Sequence, residues 1–171
     1  MSSTIFREYD IRGVADRDMP DPFVKDLGRA IGTFLKRKGA LSIALGRDCR
    51  LSSPRLHTHL CQGLLETGID LVDIGVVPTP LMYFSVFHYD LDGGVQITGS
   101  HNPPHENGFK LMAGKATLYG EDIRSLYTMI EQKDFELTSV GHTKHVDPLP
   151  AYAGFMKGNI QLGSRPLRFA I

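Results

Sequence analysis

The sequence predicts an α/β fold: a three-layer α/β/α sandwich around a mixed but mostly parallel sheet. Three observations carry this expectation. Short apolar, β-branched runs alternate along the chain with segments of helical periodicity. The stretches between successive runs are long enough for crossovers, which parallel strands require. The exception is Asn107-Gly108, a tight-turn signal that leads into the extended run Phe109 to Met112 and sets one antiparallel strand in the sheet.

Taken in order, Asp21-Pro22 opens the first clear helix, with Phe23, Leu27, Ile31, Phe34 and Leu35 on one stripe and Gly39 beyond its end. Leu41 to Leu45 reads as a buried strand. Ser53-Pro54 starts a second helix that turns Leu56, Leu60, Leu64 and Leu65 inward and closes at Gly68. Ile69 to Ile74 is the next strand. After the loop Gly75 to Pro80, a third helix is expected from Leu81 to His88. Val95 to Thr98 is a strand aimed at a polar loop, and Phe109 to Met112 returns from it. Glu121 to Ile130 makes a fourth helix, with Ile123, Leu126, Tyr127 and Ile130 on one face. Gln132 to Pro150, polar and punctuated by Gly141, Pro148 and Pro150, reads as linker. Ala151 to Ile160 fits one more helix, and Leu167 to Ile171 an apolar strand. The resulting division is a domain over 1–147, then a linker helix and the first strand of a second domain over 148–171. There is no internal repeat and no low-complexity segment.

With 42% hydrophobic residues in 171, the chain can bury one proper core. Nineteen Lys and Arg balance nineteen Asp and Glu, so no broad attraction to nucleic acid or to a membrane surface is expected. No apolar run approaches the roughly 20 residues that cross a bilayer. Met1 to Thr4 lacks the basic and apolar regions of a signal peptide. Cys49 and Cys61 have no metal-ligand spacing and read as free thiols, which places the protein in the cytoplasm.

The chemistry concentrates in residues 95–111. There a strand delivers Ser100, His101 and Asn102 to a loop, and Pro103-Pro104 forbids that loop from continuing as a helix. A hydroxyl, an imidazole and a carboxamide thus stand together at a strand end, the edge where ligands bind in α/β folds. Lys110 follows on the returning strand. Near the N-terminus, Phe6-Arg7-Glu8-Tyr9-Asp10-Ile11-Arg12-Gly13 offers in Arg12 a planar fork of donors suited to phosphate. The blander alternative is a polar strand end whose Arg12 and Asp10 pair on the surface. Gly46-Arg47-Asp48-Cys49-Arg50-Leu51-Ser52 is open between a place in the site and a structural Arg47–Asp48 ion pair behind it.

These three segments resemble the signatures of the α-D-phosphohexomutases. In that family the loop reads Thr-(Ala/Gly)-Ser-His-Asn-Pro followed by Asn-Gly-(Phe/Ile/Tyr)-Lys, and the N-terminal motif is Phe-Arg-x-Tyr-Asp-Ile-Arg-Gly. Gly99, the doubled Pro103-Pro104 and Phe109 are most similar to the phosphomannomutase/phosphoglucomutase branch. The resemblance covers the first domain of a four-domain enzyme. It implies an intramolecular phosphotransferase that interconverts mannose or glucose 1-phosphate and 6-phosphate through a phosphoserine and a bisphosphorylated sugar. Ser100 is then the phosphorylated residue, with His101, Lys110 and Arg12 as catalytic groups, and Tyr9, Arg12 and Asn102 as substrate- and phosphate-binding groups. The resemblance further implies Mg²⁺, bound to Ser100 through its phosphate with its other ligands in the second domain, and a hexose 1,6-bisphosphate activator. The expected partners are a hexose phosphate and the remaining domains of the parent enzyme. The isolated chain is expected to be inactive.

Other readings are weaker. His101 and His105 would suit a metal on a helix, but the two prolines between them break that geometry. A serine hydrolase would require Gly-x-Ser-x-Gly on a strand–turn–helix elbow, which the sequence lacks. His57 and His59 are expected on the surface. The alternative of a different class is a non-catalytic sugar-phosphate-binding or regulatory module of the same fold.

Overall fold

A computed structural model describes residues 3–161 together with Gly163 and Arg168. After a 3₁₀ turn at Ser3–Ile5 come β1 (Ile11–Val14), α1 (Ala15–Asp18), α2 (Asp21–Arg37), β2 (Ser42–Arg47) and α3 (Ser53–Leu65). Then follow β3 (Asp70–Val76), α4 (Thr79–His88), β4 (Gly93–Ile97), β5 (Glu106–Ala113) and β6 (Ala116–Thr117). The last elements are α5 (Glu121–Gln132), β7 (Thr143–His145) and α6 (Leu149–Asn159). The strand expected over Leu167 to Ile171 lies outside the described residues, Arg168 apart.

The described strands form one sheet in the order β1-β5-β4-β2-β3-β7, with β6 pairing to the end of β5. The pairs β4–β2, β2–β3 and β3–β7 are parallel, whereas β5 is antiparallel to β1, β4 and β6. All the described strands therefore run one way except β5. Alternation along β2 shows the layering. Ile43 and Leu45 enter the core beneath α2, α3 and α5, while Ala44 enters the smaller core under α4 with Ile74, Met82 and Val86. The sandwich expected from the sequence is present.

Pro22, Pro54, Pro80 and Pro150 each fall in the first turn of a helix, where the missing amide costs nothing. The α2 stripe forms as expected: Leu27, Ile31 and Leu35 are buried, and Phe34 packs partly buried beside them. Each side chain of this size contributes roughly 1.5–3 kcal/mol on full burial.

Several expectations need correction. Asn107-Gly108 is not a turn: both residues lie inside β5, opposite Gly13 and Arg12 of β1. The fully buried Asn107 carboxamide donates to the hydroxyls of Ser52 and Ser53 at 2.9 Å each, tying β5 to the start of α3. Gly108 is needed for close approach, since a Cβ there would collide with the Ile11 carbonyl oxygen and sit 2.9 Å from Arg12 Cγ. The chain reverses instead through residues 98–105. Leu41 is not in β2 but 76% exposed ahead of it. The polar stretch after Gln132 is not all linker, because β7 within it adds a parallel edge strand to β3. His57 is not a surface residue. Its side chain is 18% exposed, with Nε2 at 3.2 Å from the buried Asp73 carboxylate. His59 lies 3.2 Å from Asp21.

Candidate active site

Residues 98–105 link the C-terminal end of β4 to the start of β5, so this loop crosses the sheet edge where the parallel strands end. It leads into a strand, and no helix N-terminus faces it from its own continuation. Charge at the loop is therefore supplied by side chains. Ser100 sits at its tip, exposed, with φ +53°. Its amide donates to Thr98 Oγ1 at 2.9 Å, and its hydroxyl lies 3.4 Å from His101 Nδ1. Left-handed backbone at a non-glycine residue is uncommon and tends to occur where the surroundings over-determine it.

From β1, Arg12 reaches the underside of the loop. It is only 6% exposed, and its Nη1 donates to the Gly99 carbonyl at 3.1 Å and to Asn102 Oδ1 at 2.6 Å. Its Nε bonds Asp10 Oδ2 at 2.7 Å. Arg12 and Asp10 do pair, but with 7% and 13% of their side chains exposed the pair is buried, not superficial. Lys110 of β5 places Nζ 3.5 Å from the same Asp10 oxygen. Asn102 is fixed at both ends of its amide: Nδ2 donates to Glu106 Oε2 at 2.6 Å while Oδ1 accepts from Arg12. Arg12 and Asn102 are thus joined within the loop that carries Ser100 and His101, and Lys110 connects to this group through Asp10. Tyr9 stands 67% exposed beside it in the chain.

A second support comes from residues 48–53. Asp48 Oδ1 accepts the Ser53 hydroxyl at 2.5 Å and the Arg50 amide at 3.1 Å, while Oδ2 accepts the Gly99 amide at 3.1 Å and Arg50 Nε at 3.2 Å. Burial pushes the Asp48 carboxyl up, but hydrogen bonds from Ser53, the Arg50 amide, Thr98 and the Gly99 amide outweigh it and hold the group below its usual value. The ion pair in this segment is therefore Asp48–Arg50; Arg47 instead donates to the Asp48 carbonyl at 3.4 Å. A cavity of about 530 Å³ opens between this segment, residues 78–80 and the loop at Thr98, Ser100 and Pro104.

Sequence reasoning missed the anchoring roles of Asp48, Arg50 and Glu106, and offered the Asp10–Arg12 pair only as a surface pair. Asp10 and Arg12 stand two apart on an extended segment, so a shared face was a readable signal. The contacts of Arg50 with the loop carbonyls span 50 or more residues and had no local trace. Among the described residues no group of three or more His, Cys, Asp or Glu could hold a metal ion. Asp10 and Asp48 are committed to Arg12, Lys110, Arg50 and backbone amides. None of the described helices is long and apolar enough to cross a membrane.

Fold and loop together define an α/β/α domain of the sugar-phosphate mutase class. Residues 3–137 match the family model described as phosphoglucomutase/phosphomannomutase, alpha/beta/alpha domain I, and the chain belongs to that family. It is 42% identical over 168 residues to a phosphoglucomutase of Neisseria gonorrhoeae, covering 98% of this chain and 36% of that protein. It is 39% identical over 171 residues to a Pseudomonas aeruginosa phosphomannomutase/phosphoglucomutase, covering 100% and 36% respectively. A crystal structure of a phosphoglucomutase/phosphomannomutase family protein from Burkholderia thailandensis superimposes with a TM-score of 0.91 at 37% identity, over 98% of this chain and 38% of that one. The chain thus spans little more than a third of the length of these relatives.

Proposed function

We propose that this chain is the phosphoserine-bearing part of an enzyme that interconverts hexose 1-phosphate and hexose 6-phosphate, with mannose and glucose as the sugars. The observation that carries the reading is the exposed Ser100 hydroxyl, 3.4 Å from His101 Nδ1, on a loop held by Arg12, whose partner Asp10 also takes Lys110. The names borne by the relatives support the substrate class.

In the forward half-reaction a sugar hydroxyl attacks the phosphorus on Ser100. The new O–P bond to the sugar forms as the Ser100 Oγ–P bond breaks, the sugar hydroxyl gives up its proton, and the serine oxygen takes one up. The second half returns the sugar's other phosphoryl group to Ser100 by the reverse exchange. Such transfer asks for positioning and for compensation of spreading negative charge. Lys110 supplies charge from β5, Arg12 and Asn102 fix the loop beneath the phosphoryl group, and His101 orients the serine oxygen. Tyr9 is exposed where a sugar ring would pass. Mg²⁺, when bound, adds neutralisation at the phosphoryl oxygens, and this chain would hold it through the phosphate on Ser100, with the remaining ligands contributed by a further domain. A hexose 1,6-bisphosphate serves as the activator that charges the serine. The free thiols Cys49 and Cys61 suit a cytoplasmic enzyme.

The test uses the full-length enzyme that contains this chain. Incubation with glucose 1,6-bisphosphate, followed by peptide mass spectrometry, is expected to place a phosphoryl group on Ser100, and Ser100→Ala is expected to abolish both label and isomerisation of glucose 1-phosphate. A label that persists in Ser100→Ala sinks the assignment. Binding of hexose phosphate with neither label nor turnover would favour a non-catalytic module.

A further inference from the structure

We propose that Arg50 is a positioning residue: it fixes the backbone that presents Ser100 for phosphoryl transfer and makes no contact with substrate. This inference rests on Ser100 being the phosphoryl carrier, and extends it to a side chain outside the serine loop.

All five N–H donors of Arg50 are spent on protein acceptors. Nη1 donates to the carbonyls of Pro103 at 2.6 Å and Glu106 at 3.0 Å, and Nη2 to those of Ser100 at 3.1 Å and Asn102 at 2.7 Å. Nε completes the set on Asp48 Oδ2 at 3.2 Å. With its side chain 14% exposed and no donor left over, the guanidinium is not free to receive a substrate phosphate. It reads the loop's shape instead, because four carbonyls must be aimed at one planar fork at the same time. The fork also lies flat on the loop, since a Cβ at Gly99 would collide with Arg50 Cζ and Nε.

The loop requires such a device. Ser100 holds φ +53°, and the two prolines remove amides that could otherwise bond the loop to itself. Asp48 links the parts, because its Oδ2 accepts both the Gly99 amide and Arg50 Nε. Arg12 holds the other side of the loop through the Gly99 carbonyl and Asn102 Oδ1. The serine is thus carried between two guanidinium groups, one from β1 and one from the turn ahead of α3. A lysine at position 50 would keep the charge but lose the fork, because its three donors radiate from one nitrogen.

The experiment compares Arg50→Lys and Arg50→Ala with the natural sequence in the full-length enzyme, measuring kcat and KM for glucose 1-phosphate per Ser100-phosphorylated molecule. Both variants are expected to lose about 100-fold in kcat, the scale of a misplacement on the order of 1 Å, with KM changed less than about threefold. Millimolar guanidinium is expected to restore part of the turnover of Arg50→Ala and none of that of Arg50→Lys, whose ammonium fills the space. Should Arg50→Ala fail to fold, the kcat of Arg50→Lys decides. A kcat for Arg50→Lys within about threefold of the natural enzyme per phosphorylated molecule, even with a lowered melting temperature, overturns the proposal. So does a raised KM at unchanged kcat, which would make Arg50 a substrate contact. Absence of label on Ser100 in the unsubstituted enzyme overturns the phosphoserine reading itself, and the positioning role with it.

Discussion

Arg12 and Lys110 both reach Asp10 beneath the serine loop, yet the structure separates their consequences. Lys110 is 24% exposed on its side chain, and its contact with Asp10 stands at the 3.5 Å limit of a hydrogen bond. Arg12 is buried and bonded to Asp10, Gly99 and Asn102. Lys110→Ala is therefore expected to lower turnover of the full-length enzyme by orders of magnitude while its melting temperature stays nearly constant. Arg12→Ala is expected to lower both. Hydrogen bonds to a charged group contribute about 1.5–3 kcal/mol, and their loss lowers the melting temperature. Scanning calorimetry beside a turnover assay checks the pair, and a lowered melting temperature for Lys110→Ala would reverse their assigned parts.

At the scale of elements, the amphipathic helices were legible because the 3.6-residue period and proline placement are local properties. Phe23 to Leu35 and Ile123 to Ile130 needed nothing else. The strand pairing of β5 was legible in direction but not in register, because Asn107-Gly108 carries a turn signal that tertiary contacts override. Ser52, Ser53 and Ile11 claim those two residues from distant parts of the chain. β7 was illegible for a related reason: Thr143-Lys144-His145 is polar and exposed, an edge strand held by β3 and by no apolar pattern of its own. Around the loop, Arg12 carries a signal of its own in the N-terminal motif, whereas the hold of Asp48 and Arg50 on the loop runs through contacts about 50 residues apart and left none.

The hold on β7 includes Asp73, whose Oδ2 lies 3.2 Å from His57 Nε2 and 3.4 Å from His145 Nδ1. Burial pushes the Asp73 carboxyl up, but the His57 contact, the Gly75 amide and the charges of His57 and His145 bring it below its usual value. A carboxyl lowered on folding stabilises the fold above its unfolded pKa, about 3.9, and that contribution is lost as pH falls through the lower folded value. Amide exchange at residues 143–145 is accordingly expected to accelerate, relative to α2, as pH falls below about 4, after correction for the intrinsic rate. Asp73→Asn should show the faster exchange already at neutral pH. Unchanged protection of β7 in that variant would mean that the backbone ladder alone secures the strand.

For the whole molecule, a continuous core joins α2, α3 and α5 to one face of the sheet, and a second cluster seats α4 on the other. Both faces are covered by helices drawn from this chain, so the 171 residues are expected to unfold alone in one cooperative urea transition. The same chain is not expected to isomerise sugar phosphates at a useful rate. Electrostatic stabilisation of the transferring group is the largest part of such catalysis, and each ~1.4 kcal/mol lost costs a factor of ten. In the proposed mechanism this chain contributes Lys110 and the loop between Arg12 and Arg50 to that stabilisation. A coupled assay for glucose 6-phosphate formed from glucose 1-phosphate, with Mg²⁺ and glucose 1,6-bisphosphate, measures it. Robust turnover abolished by Ser100→Ala would show that one domain suffices.

The positive φ at Ser100 also limits which alcohol can occupy the loop tip. Serine and threonine carry the same hydroxyl and differ by one methyl group, but that methyl branches at Cβ, and branched side chains are the least tolerant of left-handed backbone. The handedness of one residue therefore selects a primary over a secondary alcohol as the group that would carry phosphate, before any substrate or metal is present. On the proposed phosphoserine reading, the choice of phosphate carrier is a stereochemical property of the hairpin as much as a chemical one.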